Sequence, residues 1–96
     1  ALEPGSTTTL RDRFYGLIHD AVLESAQAGG PLAGSNFWAW GGSGRAAHAD
    51  RRMRPEDTDY VGDPSHEPQG WYSVFDADAS TIASIRTHAR ALAEAD

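Results

Sequence analysis

The residues best suited to chemistry in this sequence are aromatic. Trp38 and Trp40 lie in a short apolar and aromatic run that ends at a pair of glycines, and Trp71 and Tyr72 follow further along the chain. The flat face of a tryptophan ring packs well against the C–H face of a pyranose ring, although most buried aromatic residues only fill a core. The pattern therefore allows two interpretations, a sugar-binding platform or ordinary core packing.

Carboxylates are the second group of candidates. Retaining glycoside hydrolysis uses two carboxylic groups about 5–5.5 Å apart, and the chain holds 14 acidic residues. Several of them lie in a polar run between positions 56 and 67, where solvation or hydrogen bonding to the loop itself is the simpler interpretation. For Asp63, Glu67 and Gln69 we expect mainly bonds to the loop backbone. Glu67 and Trp71 are possible contacts between this loop and a substrate.

Metal and nucleophile motifs fit poorly. Nitrogen and oxygen donors occur in two groups, His48 with Asp50, and Asp63 with His66 and Glu67. Their spacing matches neither a helical zinc site nor an EF-hand loop. The glycine-rich stretch after the tryptophans has neither the spacing of a nucleophile elbow nor that of a phosphate-binding loop. We therefore predict no metal ion and no cofactor.

Four segments are expected to position these residues. Apolar residues at helical spacing predict a helix over residues 9–28, capped by a threonine at 7, 8 or 9 and stopped by Gly29 and Gly30. Residues 32–40 predict a strand buried on both faces. Residues 41–78 then form a long loop, and a second helix begins near Ser80. His19 and His88 lie on these helices as exposed or capping groups.

The loop is predicted to be ordered. It contains five of the ten glycines and three of the five prolines, but apolar and aromatic residues recur at Tyr60 and Val61 and again at 71–75. A structureless loop of this length is uncommon in a compact domain and is usually functional when it is ordered. We expect a short strand near residues 72–75.

Composition excludes some partners. The 96 residues carry a net charge of -6, all eight basic residues are arginine, and there is no cysteine. Because Arg51, Arg52 and Arg54 lie among acidic residues, no basic surface suited to nucleic acid is expected. No apolar stretch approaches the length of a membrane span or the pattern of a signal peptide.

The order of elements is incomplete for a free-standing domain. One strand cannot form a sheet, and two helices that each have a single apolar stripe need something to cover. The chain therefore resembles a slice of a repeating β/α architecture, and we expect residues 1–96 to be part of a larger domain.

Three segments resemble the end of endo-β-1,4-mannanases of glycoside hydrolase family 5, and together they cover nearly the whole chain. They are residues 8–15 (TTLRDRFY), 33–45 (AGSNFWAWGGSGR) and 63–81 (DPSHEPQGWYSVFDADAST). The resemblance implies an α/β fold, the C-terminal slice of a (β/α)8 TIM barrel that comprises helix 7, strand 8, a long loop and helix 8.

The same resemblance implies a retaining endo-1,4-β-mannosidase acting on β-1,4-mannan, glucomannan or galactomannan, and an extracellular location. Its two catalytic glutamates end strands 4 and 7, which would precede residue 1, so no catalytic residue is expected in this chain. Glu3 does not follow a β-run and is not taken for the nucleophile. The strand-8 tryptophan that stacks under the sugar corresponds to Trp38, and Trp40 is the second candidate for substrate binding.

Two other hypotheses stay open at this point. The chain could be a non-catalytic carbohydrate-binding module that uses the same aromatic residues, or a protein that folds only as a complement to another chain. The expected partners are a β-mannan polysaccharide or a manno-oligosaccharide and the missing N-terminal portion of the barrel, with no nucleic acid and no membrane.

Overall fold

The computed structural model describes residues 3–59 and 61–95. It contains, in chain order, helix α1 (Thr9–Gln27), strand β1 (Trp40–Gly42), strand β2 (Val74–Phe75) and helix α2 (Ala79–Glu94). The predicted α/β class is confirmed. The chain divides into two compact units, a helix unit of residues 8–36 and 79–95 and a loop unit of residues 3–7 and 37–78.

Helix α1 begins and ends close to the predicted positions. Thr8 is the N-cap residue, but its hydroxyl donates to the Asp12 carboxylate at 2.9 Å and accepts no capping hydrogen bond from a backbone N–H. At the other end Gly29 adopts φ +70°, a conformation that favours glycine, and the Gly30 N–H donates to the Ser25 carbonyl at 2.7 Å. These bonds end the helix one residue before the predicted boundary.

A polar cluster joins the first turns of the two helices. The Asp12 carboxylate accepts hydrogen bonds from the hydroxyls of Thr8, Ser80 and Thr81, and Arg11 donates to Thr81 at 3.1 Å. Burial raises the pKa of Asp12, but the three hydroxyl donors together with the charge of Arg11 outweigh burial and hold that pKa below its usual value. The carboxylate is therefore the common acceptor that ties α1 to α2.

The two helix histidines also meet, so the prediction that they are exposed or capping groups is wrong. The rings of His19 and His88 stack with centroids 4.1 Å apart and planes 2° from parallel, and both residues are half-buried. Burial lowers the pKa of His19, and repulsion from His88 lowers it further. Sequence periodicity gave no signal for this contact, because it depends on how the helices pack.

The apolar face of α1 remains open in the described chain. Its exposed side chains follow helical spacing, namely Leu10, Phe14, Leu17 and Ile18. A contiguous apolar helix face normally packs against another element. No described helix is long and apolar enough to span a lipid bilayer.

The predicted strand over residues 32–40 is largely wrong. Residues 32–38 lie outside any strand and are exposed, and among the described residues regular pairing in this segment is confined to β1. An apolar run becomes a buried strand only where neighbouring strands cover it, and the described chain supplies one neighbour that is two residues long.

Strands β1 and β2 pair in parallel, which confirms the short strand predicted near residues 72–75. The Ala39 N–H donates to the Tyr72 carbonyl at 2.9 Å, and the Ala39 carbonyl accepts from the Val74 N–H at 2.8 Å. Further along, the Gly42 carbonyl accepts from the Asp76 N–H at 2.9 Å. The paired backbone thus extends on both sides of β1.

The core of the loop unit lies beside this pair of strands. Val61, Val74 and Phe75 are its buried apolar residues. Gly41 lies so close to it that an added Cβ would be 2.8 Å from the Val61 carbonyl and 3.1 Å from Ser73. Only glycine fits there, because real Cβ atoms do not approach other atoms that closely.

Candidate functional site

Trp38 and Trp40 lie on either side of the residue that anchors the strand pair. The hydrogen bonds of Ala39 to Tyr72 and Val74 fix the backbone between the two tryptophans. Trp38 is 64% exposed and Trp40 52% exposed, although both are large and apolar. The Trp38–Ala39 peptide bond is cis. The hydrogen bonds of Ala39 thus hold both tryptophans on an ordered backbone, and the described residues leave both rings accessible, which the prediction of a buried strand did not foresee.

Trp40 lines an open groove, called the Trp40 groove below. Its volume is about 530 Å³, and its lining consists of residues 40–45 with Thr58 and Asp59. Sequence reasoning treated Asp59 as a solvated loop residue. The groove brings that carboxylate to the same concave surface as an exposed indole.

Asp63 holds together the loop that frames these residues. Its buried carboxylate accepts from the backbone N–H groups of Gly70 at 2.9 Å and Tyr72 at 2.6 Å, and from the Ser73 hydroxyl. Gln69 is also buried, and its side-chain amide donates to the Pro64 carbonyl at 2.9 Å. These contacts agree with the prediction for Asp63 and Gln69, whereas no bond between the Glu67 carboxylate and the backbone is found among the described residues.

The two possible loop contacts differ in exposure. Trp71 is 51% exposed and directly precedes Tyr72, whose carbonyl bonds to Ala39. The side chain of Glu67 is 30% exposed, and its Oε1 lies 3.9 Å from Nε2 of His66. Its other carboxylate oxygen is buried and has no hydrogen-bond partner among the described residues. Trp71 thus offers an open face, whereas Glu67 is partly enclosed.

The arginine cluster is neutralised locally, as predicted. Arg51 pairs with Glu3, and Arg54 pairs with Asp50 at 2.6 Å. The Arg52 guanidinium donates to the His66 carbonyl at 2.7 Å. The hydrogen bond from Arg54, with one from the Arg52 backbone, lowers the pKa of Asp50 to about 2. These guanidinium groups serve the loop and do not form an open anion-binding surface.

His48 and Asp57 form another contact inside the loop. Nε2 of His48 lies 2.8 Å from Oδ1 of Asp57, and the same carboxylate accepts from the Arg54 N–H at 2.7 Å. The backbone bond from Arg54, followed by the bond to His48, lowers the pKa of Asp57. His48 therefore hydrogen-bonds to Asp57, whereas its interaction with Asp50, the residue beside it in the sequence pattern, is only a charge interaction.

Arg45 is a structural residue that sequence reasoning missed. Its guanidinium donates to the Gly44 carbonyl at 2.6 Å, pairs with Asp76 at 3.2 Å, and lies 5.3 Å from the ring centroid of Phe75. It thereby connects the turn after β1 to the turn after β2. No local pattern announces this role, since Asp76 lies far from it in sequence.

No metal-binding geometry is present in residues 3–59 and 61–95. No three histidine, cysteine, aspartate or glutamate side chains come together there in a way that could hold an ion. The side chains that line the Trp40 groove carry one indole ring, two hydroxyls, one carboxylate and one guanidinium, and these groups can bind a sugar.

Comparison with known proteins agrees with this chemistry. The model of the family described as "GH family 5 beta-mannosidase-like" matches residues 1–96. A search of curated proteins finds no significant match.

Solved structures extend the comparison to the fold. The chain is similar to a glycoside hydrolase family 5 mannosidase from Rhizomucor miehei, with a TM-score of 0.78 and 33% identity. A glutamate-to-alanine variant of that mannosidase, solved in complex with mannosyl-fructose, gives a TM-score of 0.77 and 32% identity. In both comparisons the alignment covers 96% of this chain and 21% of the other, so the chain spans about a fifth of the matched structures.

Proposed function

The chain belongs to the glycoside hydrolase family 5 β-mannosidase-like family, and on that premise we propose that it is the C-terminal part of a retaining endo-1,4-β-mannosidase. The complete enzyme cleaves β-1,4-mannan, glucomannan or galactomannan. This chain contributes sugar-stacking tryptophan and a loop at the rim of the cleft.

The observation that carries the proposal is the exposure of Trp38 beside an anchored backbone. A stacking platform needs an accessible ring on a backbone that is ordered before the sugar arrives, because ordering that backbone afterwards would cost binding energy. Trp38 is 64% exposed, and the neighbouring Ala39 is bonded through both its N–H and its carbonyl. Trp38 is therefore the first candidate for stacking against the substrate, and Trp40 is the second.

The loop supplies the remaining candidates. Trp71 offers a further exposed ring, and Glu67 a carboxylate with one oxygen that has no described partner. The bonds of Asp63 and Gln69 hold the segment that carries both residues. In this proposal Glu67 and Trp71 contact substrate at the cleft rim, while Asp63 and Gln69 only position them.

The catalytic glutamates come from the rest of the barrel. Retaining hydrolysis needs two carboxylic groups on opposite sides of the scissile bond, and the family resemblance assigns them to strands 4 and 7. This chain corresponds to helix 7, strand 8, the long loop and helix 8. The open face of α1, from Leu10 to Ile18, then packs on the barrel sheet. We also propose that the enzyme acts outside the cell, where its polysaccharide substrates occur.

Activity assays on the complete enzyme and on the 96-residue chain test the proposal. The complete enzyme is expected to release oligosaccharides of mixed length from β-1,4-mannan, and the chain alone is expected to release none. Release of mannose only would contradict the endo assignment. Hydrolysis by the chain alone would contradict the assignment of the catalytic glutamates.

Substitution of Trp38 tests the platform. Trp38→Ala in the complete enzyme is expected to lower kcat/KM on mannan at least tenfold, about 1.4 kcal/mol of transition-state stabilisation, whereas Trp38→Phe keeps a ring and loses less. Equal activity of the unmodified enzyme, Trp38→Ala and Trp38→Phe would exclude stacking at this position. If the isolated chain folds cooperatively and binds mannan through Trp38, the carbohydrate-binding module is the correct alternative.

A further inference from the structure

We propose that the Trp40 groove is a binding site for one neutral hexopyranose unit of the substrate chain, in which Trp40 stacks on the sugar ring and Asp59 accepts hydrogen bonds from its hydroxyls. This inference rests on the proposed function for the identity of the substrate. The residues that form the groove are separate from Trp38.

The aromatic wall of the groove is held by close packing against a glycine. Gly42 adopts φ +56°, and a Cβ added there would lie 3.3 Å from Nε1 of Trp40. The edge of the indole therefore lies against the bare backbone of Gly42. Since Trp40 is still 52% exposed, one part of the ring is fixed while the rest faces the groove.

The acidic residues of the loop unit separate into two groups. Most are engaged in holding the loop: Glu3 pairs with Arg51, Asp50 with Arg54, Asp57 with His48, Asp63 with backbone N–H groups, and Asp76 with Arg45. Glu56 and Asp59 have no hydrogen-bond or ion-pair partner in the described part of the chain, and of these two only Asp59 lines the groove. Its carboxylate is therefore available to a ligand.

Two hydroxyl groups share this position. Ser43 and Thr58 also line the groove, and neither side chain bonds to a described residue. An aromatic ring together with a carboxylate and hydroxyl groups suits a pyranose, which presents C–H groups on one face and hydroxyls at its edge.

The size and the charge of the Trp40 groove restrict the class of ligand further. A volume of about 530 Å³ lies within the usual range of small-molecule sites, and the open shape lets a chain continue beyond the bound unit. Arg45 also lines the groove, but its guanidinium is engaged by Asp76 and by the Gly44 carbonyl. With that charge paired and the Asp59 carboxylate free, the groove favours neutral sugars over uronic acids.

Hydrolysis of mannobiose through mannohexaose by the complete enzyme tests the site. Asp59→Asn is expected to raise KM for the longest substrates at least fivefold more than for the shortest, because only longer chains reach an additional sugar site. Trp40→Ala should give the same length dependence. Glu56→Gln is the matched control, since Glu56 is an exposed acidic residue of the same loop that lies outside the groove.

A direct binding measurement distinguishes failure of the groove as a sugar site from failure of the proposed function. In a Trp38→Phe enzyme, titration with mannohexaose followed by tryptophan fluorescence is expected to give a response that Asp59→Asn weakens at least fivefold. If Asp59→Asn and Trp40→Ala alter neither KM nor binding, or alter them equally for all lengths, the groove is not a sugar site. If Trp38→Ala leaves hydrolysis intact while Asp59→Asn still raises KM more for longer substrates, Trp38 is not a stacking residue but the groove is still a sugar site. If no mannan is hydrolysed, the fluorescence titration alone decides about the groove.

Discussion

The imidazole rings of His19 and His88 stack across the interface between α1 and α2, with centroids 4.1 Å apart. Two rings at this distance repel each other when both are protonated, and burial already lowers the pKa of His19. The described groups that affect His19 besides His88 are the carboxylate of Asp20, which favours its protonation, and the Tyr15 ring at 6.2 Å. Helix packing is therefore coupled to pH through this pair.

Stability is predicted to fall on mild acidification. The pKa of His19 in the folded state lies below its unfolded value of about 6.5, so the unfolded chain takes up the proton first. Stability is then lost as the pH drops through 6.5 and levels off below the folded pKa. Urea unfolding of the complete enzyme at several pH values between 7 and 5 measures this loss.

Substituting one ring isolates the contribution of the pair. His88→Phe keeps an aromatic ring and removes the repulsion that lowers the pKa of His19, so the loss of stability on acidification is expected to be smaller than in the unmodified enzyme. His66→Gln is the control, because the His66 side chain is 81% exposed. An unchanged pH dependence in His88→Phe would show that the stacked rings do not govern it.

Asp12 is predicted to stabilise the helix pair in a different pH range. Asp12→Ala removes the acceptor shared by Thr8, Ser80 and Thr81, and is expected to cost about 1.5–3 kcal/mol of unfolding free energy. Because the folded pKa of Asp12 lies below 3.8, its contribution is present above that value and is lost as the pH falls through the folded pKa. Chemical denaturation at pH 7 and pH 3 measures both effects.

An exposed acidic residue of the same helix provides the comparison for Asp12. Glu24 has no side-chain partner among the described residues, so Glu24→Ala should change stability by less than about 0.5 kcal/mol. Equal effects of Asp12→Ala and Glu24→Ala would mean that the hydroxyl cluster contributes nothing.

Asp63 is predicted to be essential to the loop. Asp63→Asn replaces one acceptor oxygen by a donor that faces backbone N–H groups, and is expected to cost about 2–3 kcal/mol. Hydrogen exchange at Gly70 and Tyr72 should accelerate. Asp59→Asn is the contrasting variant, since Asp59 bonds to no described residue and should leave exchange at these amides unaltered.

Gly41 is predicted to tolerate no side chain. In Gly41→Ala the new methyl group would lie 2.8 Å from the Val61 carbonyl, so the strand has to shift, at a cost of about 1–3 kcal/mol. Gly34→Ala has open space around the added Cβ and is the matched control. Thermal unfolding of both variants gives the comparison, and equal transition temperatures would contradict close packing at Gly41.

Local sequence patterns were sufficient to predict both helices. The apolar periodicity of α1 and the two glycines after it placed its end within one residue, because Gly29 and Gly30 terminate the helix through their own backbone. Apolar periodicity also predicted that a second helix begins near Ser80, and α2 begins at Ala79. Helix formation depends on residues three and four apart, and such residues are close together in the sequence.

The strand and the loop contacts depend on distant residues, and there the sequence was a poorer guide. The run at 32–38 has the composition of a buried strand, but pairing occurs only where residues 72–76 lie alongside. The bonds of Asp63 and the stacking of His19 on His88 likewise join residues that no periodic pattern relates. The tryptophans of the candidate site could be named from composition, whereas the Trp40 groove could not.

Some side chains of the loop hold its backbone and others bond to no described residue. This difference indicates which positions can be substituted without loss of the fold. Asp63, Gln69 and Arg45 hold the backbone, while Ser43, Thr58 and Asp59 bond to no described residue. A combinatorial library at positions 43, 58 and 59 should therefore yield mostly folded proteins, much as hypervariable loops do on a constant framework. Substrate preference could then be selected without a second round of stabilising mutations.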